Sequence, residues 1–369
     1  MTKKPKVLIF GAGGHGWKTV SDLLISDKFD FSIYTSTADY GGAQGVWYRL
    51  LEYNDFELSK KLFGEITGSL PFGDLNKILT FFLSRKFGSL VGDLLNYRSD
   101  SLEKLKLAFE ELAIHLGFEK VITDHFEDFL ERGFEYYQNH KHNLDYQTEK
   151  EFCLGYPFAD YLLWKLEKMS AFNSFYQKKL ILPENIHLDF IAENRQILVA
   201  SDLNGVELES EHIIDIHKVP ILPESLKILE TDGKSGKFKD GFLRKLKSSD
   251  WVILPNGSIA NWLPILNNPK VTKILQQKSE AKKLIWLINS GKTENEFYLK
   301  DYLKYLKSLN LNPILIGPKS FEKDSFSPKV QDKLQDFGGA SEYIKVYDLN
   351  KKAEIDTVSL SSFLVEFMG

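Results

Sequence analysis

The chain has 369 residues and a formal net charge of -4, with 43% hydrophobic, 27% charged and 13% aromatic residues. That balance belongs to a globular protein able to bury a sizeable core, and the density of aromatics, 27 Phe and 16 Tyr, argues against disorder. A sequence pI near 6.1 gives no global attraction to nucleic acid or to an anionic membrane, so any basic site has to be local.

The single cysteine, Cys153, excludes an intrachain disulfide and a thiolate metal cluster within one chain. It fits a reducing compartment, and the expected location is the cytoplasm. Behind the basic Met1 to Lys6 the apolar stretch Val7 to Phe10 stops at glycine, far short of a signal h-region or a membrane span. Neither a nucleic-acid partner nor a membrane partner is expected.

Val7 to Phe10 ends in Gly11-Ala12-Gly13-Gly14-His15-Gly16, after which Trp17, Val20, Leu23 and Leu24 recur at helical spacing. This reads as strand, glycine turn, helix. Phe31 to Tyr34 is a second strand, followed by the glycine-rich run Thr37 to Gly45. Successive parallel strands deliver their carboxyl ends to one side, so both loops are expected at the same sheet edge.

Residues 45 to 98 read as helical, with Gly73-Asp74 opening a helix through Leu75, Ile78, Leu79 and Phe82. Ser101 is an N-cap candidate for a helix running to Leu116 through Leu105, Phe109 and Leu112. His115, His125, His140 and His142 lack a repeated i,i+4 pair and a cysteine cluster, which favours helix-surface histidines over a metal site.

From Leu180 the texture changes. Ile186 to Ile191, Gln196 to Ala200 and Val206 to Ile216 alternate apolar and polar residues, broken at Glu193-Asn194-Arg195 and Asn204-Gly205, which predicts an antiparallel meander. Asp232 to Lys237 contains Gly-Lys-Ser without the glycine spacing of a P-loop and reads as a solvated turn. Trp251 to Leu254, Lys283 to Ile288 and Pro313 to Ile316 are buried-strand candidates separated by helical stretches. No linker divides the chain, so one continuous α/β domain over residues 1–369 is expected, with a helical excursion near 99–170 and a β meander near 180–230.

Gly11, Gly13 and Gly16 satisfy G-x-G-x-x-G between a strand and a helix. Glycines there let the backbone approach a pyrophosphate, and the helix N-terminus offers unpaired N–H groups. A dinucleotide site also wants an acid closing the second strand, but that strand ends in Tyr34-Thr35-Ser36-Thr37 and Asp39 comes late. The NAD-dependent oxidoreductase reading therefore rests on the glycine pattern alone, beside the plainer reading of a tight turn needed for strand–helix packing.

Several features in order are similar to the gluconeogenesis-factor (YvcK-like) branch of the 2-phospholactate transferase (CofD-like) superfamily, of which this chain resembles a divergent member. They are the glycine turn, Ala38-Asp39-Tyr40-Gly41-Gly42-Ala43-Gln44-Gly45, Pro71-Phe72-Gly73-Asp74, Asn96-Tyr97-Arg98, the Ile181-Leu182-Pro183 approach to Ile186-His187-Leu188, and a late Gly-Ser turn. The resemblance spans about residues 7 to 300 and implies a modified Rossmann-like three-layer fold with a mainly parallel sheet.

It also implies site residues. The family's Gly-Gly-Gly-Thr-Gly falls on Ala12-Gly13-Gly14-His15-Gly16, which would cradle a diphosphate with Gly11 at its start, and its Ala-Asp-Asp-Gly-Gly-Ser-Ser-Gly falls on Ala38 to Gly45 with Asp39 the surviving acid and Gly41 and Gly42 its glycines. Its Pro-Pro-Gly-Asp-Ile-Arg-Asn falls on Pro71 to Lys77, bringing in Asp74, Asn76 and Lys77. Its His-Ser-Phe-Gly-Asn matches Tyr156 to Asp160, and its late Gly-Pro-Gly-Ser matches Pro255-Asn256-Gly257-Ser258. Tyr40, His15, Asn76, Lys77, Asp160, Ala43 and Gln44 depart from the family's residues.

The implied function is a regulatory protein that binds a nucleotide diphosphate sugar such as UDP-N-acetylglucosamine and is linked to carbon metabolism or envelope control. The alternative is a Mg²⁺-dependent phospholactate-transferase-like enzyme, in which Asp39 and Asp74 are the catalytic acids and Asp39 a metal ligand. The expected partner is a nucleotide-diphosphate small molecule, and a homodimer is left open. Plainer roles stand beside these: Asp74 and Ser258 as helix caps, Arg98 as a surface residue, and His187 as a packed strand residue.

Overall fold

The computed structural model describes residues 3–11, 17, 20–38, 73–118, 120–140, 152–155, 157–158, 182–192, 196–209, 213–214, 217, 219, 221–230, 233–255, 262–287, 299–318, 342–344, 346–349, 352–355 and 357–369. In chain order the elements are strands β1 (Lys6–Phe10) and β2 (Asp30–Thr35), helices α1 (Gly73–Phe87) and α2 (Ser89–Leu95), strand β3 (Arg98–Ser99), helices α3 (Leu102–Leu116) and α4 (Lys120–His140), and strands β4 (Phe152–Cys153), β5 (Ile186–Phe190), β6 (Gln196–Ser201), β7 (Glu207–Glu209) and β8 (Lys227–Glu230). They continue with helix α5 (Asp240–Ser248), strand β9 (Trp251–Leu254), helices α6 (Leu263–Leu266) and α7 (Pro269–Glu280), strand β10 (Leu284–Leu287), helix α8 (Leu299–Ser308), strands β11 (Ile314–Pro318), β12 (Glu342–Ile344), β13 (Val346–Leu349) and β14 (Lys352–Ile355), and helix α9 (Thr357–Met368).

The chain divides into two compact units, one formed by Met1–Ala38 with Asn185–Gly369 and the other by Asp39–Glu184. In the first, seven strands form one sheet in the order β12-β11-β10-β9-β1-β2-β5, parallel throughout. The fold is α/β with a parallel sheet and a separate antiparallel sheet, as the sequence implies. Its central strands are continuous apolar runs because both faces are covered, and no residue from Leu284 to Leu287 or from Val252 to Leu254 reaches solvent appreciably.

Alternation sends the side chains of β1 to opposite faces. Leu8 and Phe10, with Tyr34, Val252, Leu254, Leu284 and Trp286, share a core with Phe242 and Leu246 of α5, Val271 and Leu275 of α7 and Leu303 and Leu306 of α8. Val7, Ile9, Phe31, Ile33, Ile253 and Ile285 are equally buried on the other side. The short helical turn Leu23–Ile25 packs against α9.

The three segments read as one meander separate. Ile186–Phe190 pairs in parallel with β2, Phe31 facing Ile186 and Thr35 facing Phe190, and so extends the main sheet. It alternates buried and half-buried residues because it lies at that sheet's edge, and an edge strand carries the same period-2 signal as a meander strand. The antiparallel sheet is made by β7, β6 and β8. Within the predicted Val206 to Ile216 strand, only Glu207–Glu209 pairs, among the described residues.

The described part of the second unit is mostly helical. The side chain of Ser101 accepts the Lys104 N–H at 3.4 Å and caps α3 at its start, while Gly117 ends it in a left-handed conformation with φ 66°. Part of the high phenylalanine content is spent here: Phe109 packs on Phe126 with ring centroids 4.0 Å apart, and Phe158 joins both. Cys153 is buried on β4, which pairs with β3.

Candidate functional site

Strand order reverses at β1. Its neighbour on one side is β2, the next strand in sequence, and on the other is β9, to which the chain returns some 240 residues later, Ile9 lying opposite Ile253. In open parallel sheets the crevice outside the carboxyl ends at such a reversal is where ligands bind. Gly11 and Pro255, the residues that follow β1 and β9, thus leave adjacent parallel strands at this point.

Gly11 is held by its N–H, which donates to the Tyr34 carbonyl at 2.7 Å and keeps β1 and β2 paired to the last residue. Trp17 and Val20 are helical and buried behind the glycine turn. Strand β1 and the helical residues Trp17 and Val20 thus stand where the sequence predicts strand and helix, while residues 12–16 lie outside the described residues.

The segment leaving β2 runs through buried polar residues, Thr35, Ser36 and Thr37. The Ser36 hydroxyl accepts the Ala38 N–H at 3.1 Å, a local turn that bends the chain out of the strand. Thr37 Oγ1 donates to Gln196 Oε1 at 2.9 Å, and the Gln196 N–H donates to the Thr37 carbonyl at 3.1 Å. Gln196 Nε2 then donates to Glu230 Oε1 and to the Lys237 carbonyl, both at 3.0 Å. The fully buried glutamine thus ties the start of the Thr37 to Gly45 run to β6, β8 and the loop after β8.

That loop is the Gly-Lys-Ser turn. It is solvated at Lys234 and Ser235, but Gly236 is buried, and a Cβ there would stand 2.8 Å from Gln196 Nε2 and 2.9 Å from both Ile228 Cγ2 and the Ile228 carbonyl oxygen. Gln196 and Gly236 carry no motif, and sequence reading missed both. The available signals were a glutamine opening an apolar strand and a second glycine in a turn that needs only one.

Among the described residues of this unit three buried polar atoms lack a hydrogen-bond partner, Trp17 Nε1, Thr35 Oγ1 and Trp262 Nε1, on residues 2%, 1% and 0% exposed. Among the described residues the other such atom is Thr80 Oγ1, in the second unit. In the sequence each flanks one of the glycine-bearing segments, Trp17 following Gly16, Thr35 closing β2 before the Thr37 to Gly45 run, and Trp262 following the Asn256-Gly257-Ser258 segment. Trp262 meets Trp286 edge-on at 5.6 Å. An orphaned buried donor costs about 1–3 kcal/mol, so three beside three loops is a concentration that a ligand or ordered water would relieve.

Beside them lies a charged group. Lys239 Nζ bonds Asp189 Oδ1 at 2.9 Å, and Asp189 pairs in register with Tyr34. Burial pushes the Tyr34 hydroxyl well above the usual tyrosine range, with the Asp189 charge adding to it. Burial likewise lowers the affinity of His187 for a proton, Lys245 and Lys239 adding to that and Asp189 opposing it. Half-buried and 6.2 Å from the Tyr34 ring, His187 is a packed strand residue.

Of the other expected site residues, Gly13, Gly14, His15, Gly16, Asp39, Gly41, Gly42, Asp160, Asn256, Gly257 and Ser258 lie outside the described residues. Asp74, Asn76 and Lys77 lie in the first turns of α1, whose first residue is Gly73. Arg98 is exposed on β3. Among the described residues no three His, Cys, Asp or Glu side chains gather as a metal site, and no helix is long and apolar enough to cross a membrane.

The described residues thus define a doubly wound parallel α/β protein whose strand order reverses at β1, between β2 and β9. No protein-family model matches the chain, and no curated protein matches it. Among solved structures it is similar to protein BH3568 from Bacillus halodurans, at a TM-score of 0.62 and 16% identity over 98% of this chain and 100% of that one. A second crystal structure of that protein, described as a member of the UPF0052 family, aligns at a TM-score of 0.64 and 15% identity over 99% and 100% of the two chains. The likeness is one of fold over the whole length.

Proposed function

We propose that this chain binds a nucleotide diphosphate compound, with a UDP-sugar as the favoured ligand, and acts as a regulatory protein of the gluconeogenesis-factor type. The observation that carries this reading is the reversal of strand order at β1, where the glycine-rich sequence after β1 and the Asn256-Gly257-Ser258 sequence after β9 follow adjacent strands. Glycine turns at that position favour close approach of backbone N–H groups to a diphosphate. The unpartnered Trp17, Thr35 and Trp262 side chains support it, since they flank the three segments concerned in the sequence. The UPF0052 fold neighbour supports it as well, because that family is the one the motif order resembles.

In this reading Gly11, Gly13, Gly14 and Gly16 face the diphosphate and Asn256, Gly257 and Ser258 close over it. Should the protein instead be a transferase, Asp39 and Asp74 are the acids that would hold Mg²⁺, which would neutralise the diphosphate. The substitution of Tyr40 for the family's second acid favours binding over transfer.

The test is a thermal-shift screen of UDP-, GDP- and nicotinamide nucleotides with and without Mg²⁺. A ligand at 100 times its dissociation constant stabilises the native state by about 2.7 kcal/mol. A shift with UDP-sugars and no turnover is the expected result. Mg²⁺-dependent consumption of the donor would establish the transferase, and a response to nicotinamide nucleotides alone would overturn both.

A further inference from the structure

The amino edge of the parallel sheet, opposite the proposed nucleotide crevice, carries a cleft of about 470 Å³. Four lysines converge on it, Lys3, Lys4 and Lys6 from the segment entering β1 and Lys283 from the residue entering β10. Among the described residues none of the four ammonium groups has a carboxylate or hydrogen-bond partner. The acid lining the cleft, Asp250, is already committed: its Oδ2 accepts the Lys6 N–H at 2.8 Å while its own N–H donates to the Lys6 carbonyl at 2.7 Å, which locks the entries of β1 and β9 together.

The surroundings brace this arrangement. Lys278 Nζ donates to the Lys247 carbonyl at 3.1 Å and also to the Ser249 carbonyl, fixing the turn that carries Asp250. The half-buried Trp251 donates its indole N–H to the Met368 carbonyl at 3.2 Å and packs 5.7 Å from the Phe367 ring, giving the cleft a rigid aromatic wall. In a chain of net charge -4, four unpaired lysines around one concavity that holds a single carboxylate concentrate positive potential, which favours an anion there.

We propose that this cleft binds a compact polyphosphate anion, either free or as the phosphate tail of a nucleotide. Lysine is a point-charge phosphate binder that needs no planar partner. The volume lies in the range of small-molecule sites. The proposal concerns the sheet edge away from the diphosphate crevice and stands whether or not that crevice binds UDP-sugars.

Calorimetric titration of the full chain with inorganic triphosphate, ATP and adenosine, in Mg²⁺-free buffer at low and high salt, tests it. Triphosphate and ATP are expected to bind at low salt and weaken at high salt, and adenosine is not expected to bind. Equal affinity for triphosphate and ATP identifies the free anion as sufficient, whereas tighter ATP binding assigns a contact to the base. Reversing two charges in the Lys4→Glu, Lys283→Glu variant is expected to weaken triphosphate binding at least about tenfold with Tm unchanged. The milder Lys4→Gln, Lys283→Gln variant gives a smaller loss and serves if the first does not fold. Thr35→Val, at the other edge, is expected to leave triphosphate binding intact. Absence of triphosphate binding at low salt, or undiminished binding in the lysine variants, would overturn the proposal.

Discussion

Thr37 Oγ1 donates a 2.9 Å hydrogen bond to Gln196 Oε1, across 159 residues of sequence and with both side chains buried. The glutamine spends its remaining donors on Glu230 and the Lys237 carbonyl. Replacing it with leucine strands an acceptor at Lys237 and the hydroxyl of Thr37 together. Gln196→Leu is expected to lower stability by about 2–3 kcal/mol, and adding Thr37→Val is expected to recover part of that loss by removing one stranded group. Denaturant unfolding of the two single variants and the double variant measures the coupling, and strict additivity would deny it.

Gly236 has no room for a methyl group, with Gln196 Nε2, Ile228 Cγ2 and the Ile228 carbonyl all within 3 Å of where Cβ would stand. One of those neighbours is backbone held in the β6–β8 ladder, which cannot shift cheaply. Gly236→Ala is expected to cost about 1–3 kcal/mol. Gly233→Ala meets no atom but must adopt φ +79°, so its cost is conformational. A Gly236→Ala protein as stable as the wild type by thermal melting would show that the loop can move away.

Thr35 is the simplest of the three unpartnered groups to remove, because valine matches its shape and suits a strand. Without ligand, Thr35→Val is expected to stabilise the protein by about 1 kcal/mol, since it deletes a buried hydroxyl that bonds nothing. If the hydroxyl faces the nucleotide, the same variant loses part of the ligand-induced thermal shift. Loss of stability in the ligand-free variant would mean that the hydroxyl is already satisfied.

Two groups predict separate acid transitions. The folded protein holds His187 below its ordinary value of 6.5. The unfolded chain therefore takes up a proton first, and stability is full above about pH 6.5 and falls as the pH drops below it. His187→Leu is expected to flatten that decline. Asp202 is held below 3.8, first by the hydrogen bond from His217 and then by the Val206 and Asn204 N–H groups. Its contribution is intact above that value and is lost as the pH falls through the folded-state value, and Asp202→Asn is expected to remove the second decline alone. Unfolding free energies from pH 3 to 8 separate the two windows.

The central strands were legible because burial on both faces writes itself as an uninterrupted apolar run, as in Val7 to Phe10 and Trp251 to Leu254. The cap at Ser101 was legible because capping is a contact with a residue three positions away. Ile186 to Phe190 was not, since its alternation records a half-covered face and says nothing of which sheet covers it or in which direction the partner runs. At the candidate site the end of β1 at Gly11 could be read locally, whereas Gln196 could not, because its importance lies in partners 34 to 159 residues away.

The sequence by itself determined that this is an α/β protein with glycine-bearing segments after its first and a later strand, because hydrophobic periodicity acts over a few residues. Only the tertiary structure decided that β1 lies between β2 and β9, so that those two segments follow adjacent strands where the strand order reverses. It also decided that four unpaired lysines from distant segments gather at the opposite edge. Strand order and charge convergence are fixed by packing among segments far apart in the chain, and no short-range signal carries them.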